Sequence, residues 1–202
     1  MRAVITESDI PHAGDLKIAR GAIVTPSARD LSRERGVRLI EVAQDQLDSA
    51  APGKTIAIGA DHGGFAMKEA LKPLLVELGL AALDVGVHEP VPADYPDIAH
   101  KVALAVKDGK ATRGVIVDGA GIGSAMAANK VPGIRAALCY DKASARNSRE
   151  HNDANVLTLG GRLLTQSQAE EVLRIWLATP FGGGRHQNRI DKITAVEKTY
   201  LK

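Results

Sequence analysis

Aromatic side chains are almost missing from this chain of 202 residues, which has two Phe, three Tyr and one Trp, 3% in all. A core without them has to be built from Ala, Val, Leu and Ile. A surface without them offers no stacking platforms for nucleic-acid bases. Cysteine is equally scarce: Cys139 stands alone, which excludes an intramolecular disulfide and fits a reducing cytosol. No apolar run approaches about 18 residues, and the N-terminus lacks the charged-then-apolar pattern of a secretory signal. Charge of one sign is missing too. The 26 Lys and Arg are interspersed with 24 Asp and Glu, so a net charge of +2 is spread without a polybasic tract. Nucleic acid and membrane are therefore not expected as partners, and a cytoplasmic location is. The hydrophobic fraction of 45% and the charged fraction of 25% belong to a folded globular protein.

The length leaves room for one full domain plus a small addition. That addition is read at residues 1–50, which contain no aromatic residue. Within it Ala22 to Val24 predicts a short strand, and Thr25-Pro26 an N-cap with proline at the first helical position. The helix runs to about Arg35, Gly36 stops it, and Val37 to Val42 forms another strand. Gln44 to Lys54 reads as a linker. So small a module buries little by itself and needs something to dock on.

From residue 55 to 202 the pattern is regular. Short apolar runs at Ile56–Ile58, Ala82–Val85, Val115–Val117, Ile134–Cys139 and Val156–Leu159 alternate with helical periods. The helices are expected at Phe65–Leu78 (with Pro73 inside), Ile98–Val106, Ile122–Lys130, Lys142–Glu150, Ser167–Leu177 and about Arg189–Leu201. This alternation predicts an α/β domain with a parallel five-stranded sheet covered on both faces. Ligands of such folds bind at the C-terminal ends of the strands. Asp61-His62 and Asp118 both fall on that rim.

Asp118 opens the most informative segment, Asp118-Gly119-Ala120-Gly121-Ile122-Gly123. An apolar strand stops at a carboxylate, the chain turns on three glycines, and a helix begins. Bare amides at such a turn suit an anion or a developing oxyanion, and Asp118 is the loop's one side chain able to move a proton. The pair is suited to proton abstraction beside a carbonyl. A tight turn needing glycine only for its backbone is the plain alternative. A dinucleotide fingerprint would need a third glycine where Ser124 stands.

Four further groups stand out: Asp61-His62-Gly63-Gly64, His151-Asn152-Asp153, Arg162 after two glycines, and Gly183-Gly184-Arg185-His186-Gln187-Asn188-Arg189. On a helix, Arg185 and Arg189 would share a face suited to a phosphate. Taken singly, a histidine at a helix end is usually a cap and an i, i+4 arginine pair a solvated face.

Together these motifs resemble the ribose-5-phosphate isomerase B family, which includes galactose-6-phosphate isomerase subunits. The resemblance covers residues 55–202. It rests on Ala60-Asp61-His62-Gly63-Gly64-Phe65, Asp94-Tyr95-Pro96, the Gly119–Gly123 loop, Ala127-Ala128-Asn129-Lys130, Arg149-Glu150-His151-Asn152 and Gly184-Arg185-His186-Gln187. It implies a Rossmann-like three-layer α/β/α sandwich and a homodimer or dimer of dimers with active sites at the interface. It also implies a phosphorylated sugar as substrate, no metal and no organic cofactor. By position, Asp118 is the base and His151 assists ring opening. Asp61, His62, Tyr95 and Asn152 lie against the sugar, and the amides of Gly119, Ala120, Gly121, Ile122 and Gly123 hold the enediolate oxygen. Arg162, Arg185 and Arg189 bind the phosphate.

The chain departs from the family twice. Asp118 stands where many members carry a cysteine base, while others use a glutamate at the position of Ser124. Ala120 stands where Thr or Ser is common. Isomerase chemistry is expected, with ribose 5-phosphate and ribulose 5-phosphate as the default pair. The alternatives are a four- or six-carbon phosphate, or a catalytically silent sugar-phosphate-binding subunit. The segments Ile5–Ile10 and Ile23–Arg29 are similar to N-terminal segments of ethanolamine-utilisation proteins of bacterial microcompartments. That implies a docking module, with an arm that stabilises the oligomer as the alternative.

Overall fold

The computed structural model describes residues 4–7, 10, 15–42 and 55–201. The expected linker at 44–54 lies outside the described residues. The chain divides into two compact units, Met1–Ala51 and Pro52–Lys202.

In the smaller unit, β1 (Val4–Ile5) pairs in parallel with β3 (Ile23–Val24), and β2 (Asp15–Ala19) with β4 (Arg38–Val42). Between β3 and β4 lies α1 (Pro26–Glu34), begun as its sequence requires: the Thr25 side chain accepts the amide of Ala28 at 3.2 Å, and proline follows the cap. Ala28, Val37 and Ile10 form its small core. The sequence pattern missed β1 and β2; the two residues of β1 carry no period to detect.

The larger unit alternates strand and helix. β5 (Thr55–Ala60), α2 (Phe65–Glu77), β6 (Ala81–Asp84), α3 (Tyr95–Lys107), β7 (Arg113–Asp118) and α4 (Ile122–Ala128) come first. β8 (Ala136–Leu138), α5 (Lys142–Glu150), β9 (Val156–Gly160), α6 (Gln166–Ala178) and α7 (Gln187–Tyr200) follow. The five strands form one parallel sheet in the order β6-β5-β7-β9-β8, the doubly wound arrangement expected from the alternation.

Strand period 2 sorts the core into two layers. Ile56, Ile58, Val115, Val117, Leu157 and Leu159 face Leu71, Leu74, Leu75, Leu173 and Trp176 of α2 and α6. Ala57, Ile116 and Val156 face Ala99, Val102 and Ala103 of α3 and Ala128 of α4. With few aromatics to use, the core is aliphatic, and its one tryptophan is fully buried. Each such Leu or Ile is worth about 1.5–3 kcal/mol, a large share of the roughly 5–15 kcal/mol that holds a domain of this kind together.

Candidate active site

The rim at the C-terminal strand ends is built from three turns. After β5, Asp61 is buried and its Oδ1 accepts the amide of Gly64 at 2.9 Å, while His62 is exposed. After β9, the amide of Gly161 donates to the carbonyl of Asp118 (2.7 Å) and that of Arg162 to Gly119 (3.1 Å). The exposed Arg162 side chain lies along Gly119. Between them is the turn from β7 into α4. Gly121 there has φ of 80°, and a Cβ on it would lie 2.5 Å from Leu138 Cδ1, so only glycine closes the turn. Two residues on, the ring of Tyr95 rests on Gly123, where a Cβ would meet it at 2.4 Å. Asp61, His62, Tyr95, Asp118, Gly119–Gly123 and Arg162 thus share one edge of the sheet.

Asp118 is only 4% exposed. Its Oδ1 accepts the amides of Ala120 (2.7 Å) and Gly121, and its Oδ2 accepts the amide (3.1 Å) and the hydroxyl of Ser124. This narrows the expected ring of donors. A buried carboxylate takes the nearest N–H groups, so the amides of Ala120 and Gly121 turn inward. Those of Gly119, Ile122 and Gly123 are left without an acceptor among the described residues. Tyr140 Oη donates to the carbonyl of Ala120 at 2.7 Å and fixes the loop from above. Nothing in the sequence pattern around Tyr140 pointed to it.

The second set of expected residues lies at the other end of the sheet. α5 starts at the rim after β8 and runs back, so His151, its C-cap, sits by the strand starts, where Asn155 donates to Arg135. The sheet's length, about 15–20 Å for five or six residues of strand, separates it from Asp118. The His151 ring stacks on His186 with centroids 4.2 Å apart and planes 7° from parallel, and its Nδ1 is 2.8 Å from Asn147 Nδ2. Burial, the neighbouring His151 and the charges of Arg185 and Arg189 hold the His186 imidazole below its ordinary pKa. Asn152, Arg185 and Arg189 are exposed beside it. The two arginines do not share a helix, however. Gly183 and Gly184 take positive φ, Arg185 sits on a 3₁₀ turn (Gly184–His186), and α7 begins at Gln187.

Two motif residues turn out to be braces. Arg149 is buried and donates to Asp153 Oδ1 (2.8 Å) and the carbonyl of Ala154 (2.6 Å), pinning the loop that carries His151. Asn129 exchanges hydrogen bonds with Ala136 and joins α4 to β8. Beside the second cluster runs a groove of ≈ 1120 Å³, with Leu138, Ile193, Val196 and Tyr200 among its walls. Among the described residues no three His, Cys, Asp or Glu are grouped to hold a metal ion, and no helix is long and apolar enough to cross a membrane.

The family described as Ribose/Galactose Isomerase matches residues 56–193. Ribose-5-phosphate isomerase B of Escherichia coli is 43% identical over 145 residues, 72% of this chain and 97% of the relative. A D-erythrulose-4-phosphate isomerase of Pectobacterium atrosepticum is 40% identical over 145 residues, 71% and 95% of the two chains. Among solved structures, Clostridium thermocellum ribose-5-phosphate isomerase B is 47% identical with a TM-score of 0.72, covering 73% of this chain and 99% of that one.

Proposed function

This chain belongs to the ribose/galactose isomerase family, and from that premise we propose that it interconverts an aldose phosphate and a ketose phosphate through an enediolate, with ribose 5-phosphate and ribulose 5-phosphate as the default pair. The observation that carries the reading is the buried Asp118 at the mouth of the glycine loop. A carboxylate there takes the proton from the carbon beside the carbonyl and returns it to the neighbouring carbon. The unoccupied amides of Gly119, Ile122 and Gly123 receive the enediolate oxygen. Asp61 and His62 hold hydroxyls, and Tyr95 walls the sugar. A four-carbon phosphate is the second reading, favoured by the relative named D-erythrulose-4-phosphate isomerase.

His151, Asn152, Arg185 and Arg189 stand at the strand starts, about a sheet's length from Asp118. We take the working site to join the rim of one copy to the opposite end of another, in a homodimer. The apolar groove beside the second cluster supplies a face for that contact. In this arrangement His151 opens the sugar ring, and Arg162 of one copy closes on the phosphate with Arg185 and Arg189 from the other.

A panel of aldose and ketose phosphates with four to six carbons, run in deuterated water, tests the chemistry. Conversion of one pair with deuterium incorporation is expected; neither on any member would leave a silent binding subunit. Co-expressing Asp118→Asn with His151→Ala tests the shared site. Each parent is expected to be nearly inactive, and randomly paired hybrids recover about a quarter of wild-type activity, since half the dimers keep one intact site. No recovery would put both groups in one protomer.

Residues 1–50 we read as a docking or oligomerisation module, with a microcompartment shell or cargo protein as the docking partner. A chain starting at residue 53 is expected to fold and isomerise, losing only localisation if the module docks. If it is an oligomer arm, light scattering reports a smaller assembly with lower activity.

A further inference from the structure

We propose that Ser124 is a positioning residue governing Asp118, its hydroxyl being the one donor on that carboxylate able to let go; the inference rests on Asp118 being the base of the isomerase. A carboxylate offers about four in-plane acceptor sites, and on Asp118 all four are taken. Ala120 and Gly121 fill Oδ1, and the amide and hydroxyl of Ser124 fill Oδ2. A base so filled has no lone pair for a substrate proton until one donor leaves.

Three of the donors are backbone amides, fixed by the αL turn at Gly121 and the first turn of α4. Moving any of them means unwinding that turn. The fourth swings about the Cα–Cβ bond, which carries the hydroxyl oxygen with its hydrogen away from Oδ2. It also has somewhere to go. A serine in a helix commonly donates to the carbonyl three or four residues back. The two other buried helical serines do so, Ser32 to Arg29 at 2.8 Å and Ser148 to Ala145 at 2.9 Å. For Ser124 the equivalent acceptor is the carbonyl of Gly121. Ser124 is fully buried and departs from that habit to hold the carboxylate.

Oδ2 is therefore the reactive oxygen. The hydroxyl turns from Oδ2 toward the Gly121 carbonyl, and the substrate's carbon-bound proton passes to Oδ2. The C–H electron pair stays on the substrate as the enediolate, and the same proton is then delivered to the adjacent carbon. Ser124 neither gains nor loses a proton. The other ionisable or phenolic groups facing the loop are Asp61 and His62 after β5, Tyr95 on α3, Tyr140 after β8 and Arg162 after β9. None of them donates to Oδ2 among the described contacts.

The test follows the carboxyl carbon of Asp118 by NMR in ¹³C-aspartate-labelled protein, assigned by the signal that Asp118→Asn removes, beside the pH profile of kcat. Losing a hydrogen bond to the charged form makes a carboxylate more basic. Ser124→Ala is thus expected to move the titration midpoint and the acid limb of kcat upward together, by about one pH unit. Ser124→Cys keeps the volume with a weaker donor and falls between. A midpoint and profile unmoved in both variants, or moved downward, overturns the inference. If the carboxyl signal shifts as expected while the parent protein converts no sugar phosphate, the coupling stands and the isomerase reading falls.

Discussion

The two ends of the main sheet are made of different materials. The C-terminal edge holds buried carboxylates, Asp61 and Asp118, at 7% and 4% exposure, each satisfied by amides of glycine-rich turns. The N-terminal edge carries exposed arginines and a stacked histidine pair on helix ends. The difference follows from the tasks the family chemistry sets. A base acting on a carbon acid needs fixed donors and exclusion from water, which strand ends and tight turns supply. A phosphate grip needs cations free to close on a mobile dianion, which a surface helix supplies.

The largest expected effect tests the buried edge. Asp118→Asn removes the proton acceptor and keeps its shape, so kcat falls by roughly 10²–10⁴-fold with substrate binding little changed. Near-normal turnover would move the base away from this edge. Next is the brace of the opposite edge. Arg149→Leu leaves the Ala154 carbonyl without its donor and Asp153 with Arg135 alone, and urea unfolding should show a loss of about 1–3 kcal/mol. An unchanged midpoint would mean the His151 loop stands without it.

A smaller effect is expected at the exposed cations. Arg189→Ala should weaken inorganic phosphate, measured as a competitor by calorimetry, about tenfold, with kcat changed less than by Asp118→Asn. Phosphate held as tightly as by the parent would reduce the arginines to a solvated face. The smallest is a titration. Burial, then His151, Arg185 and Arg189, hold the His186 imidazole below its ordinary pKa. Its folded form binds a proton less readily than its unfolded form. Its contribution to stability is therefore present above about pH 6.5 and is lost as pH falls below that. His151→Ala removes the stacked neighbour, so the His186 Cε1–H midpoint should rise in proton NMR; a midpoint that stays put would show the stack to be electrostatically idle.

Much of this was legible from local signals. Apolar runs marked all five main strands, and the helical period at Lys142–Glu150 matches α5 end to end, a helix that Asp141 caps through Ser144. Thr25-Pro26 announced α1. The Arg185–Arg189 spacing assumes one α-helix, whereas Arg185 sits on the 3₁₀ turn that leads into α7. Asn129 and Arg149, quoted as motif residues, hold neighbouring chain in place, and a motif does not distinguish a residue that touches substrate from one that braces it.

The sequence by itself determined the alternation of strand and helix, hence the parallel sheet and the rim on which Asp61 and Asp118 fall, because period and turn chemistry are local properties. Only the tertiary structure decided that Asp118 spends its four acceptor sites inside its own loop, that Tyr140 reaches across to Ala120, and that His151 stands a sheet's length from Asp118. Those facts depend on where a turning chain returns in space, and no spacing along the chain encodes that.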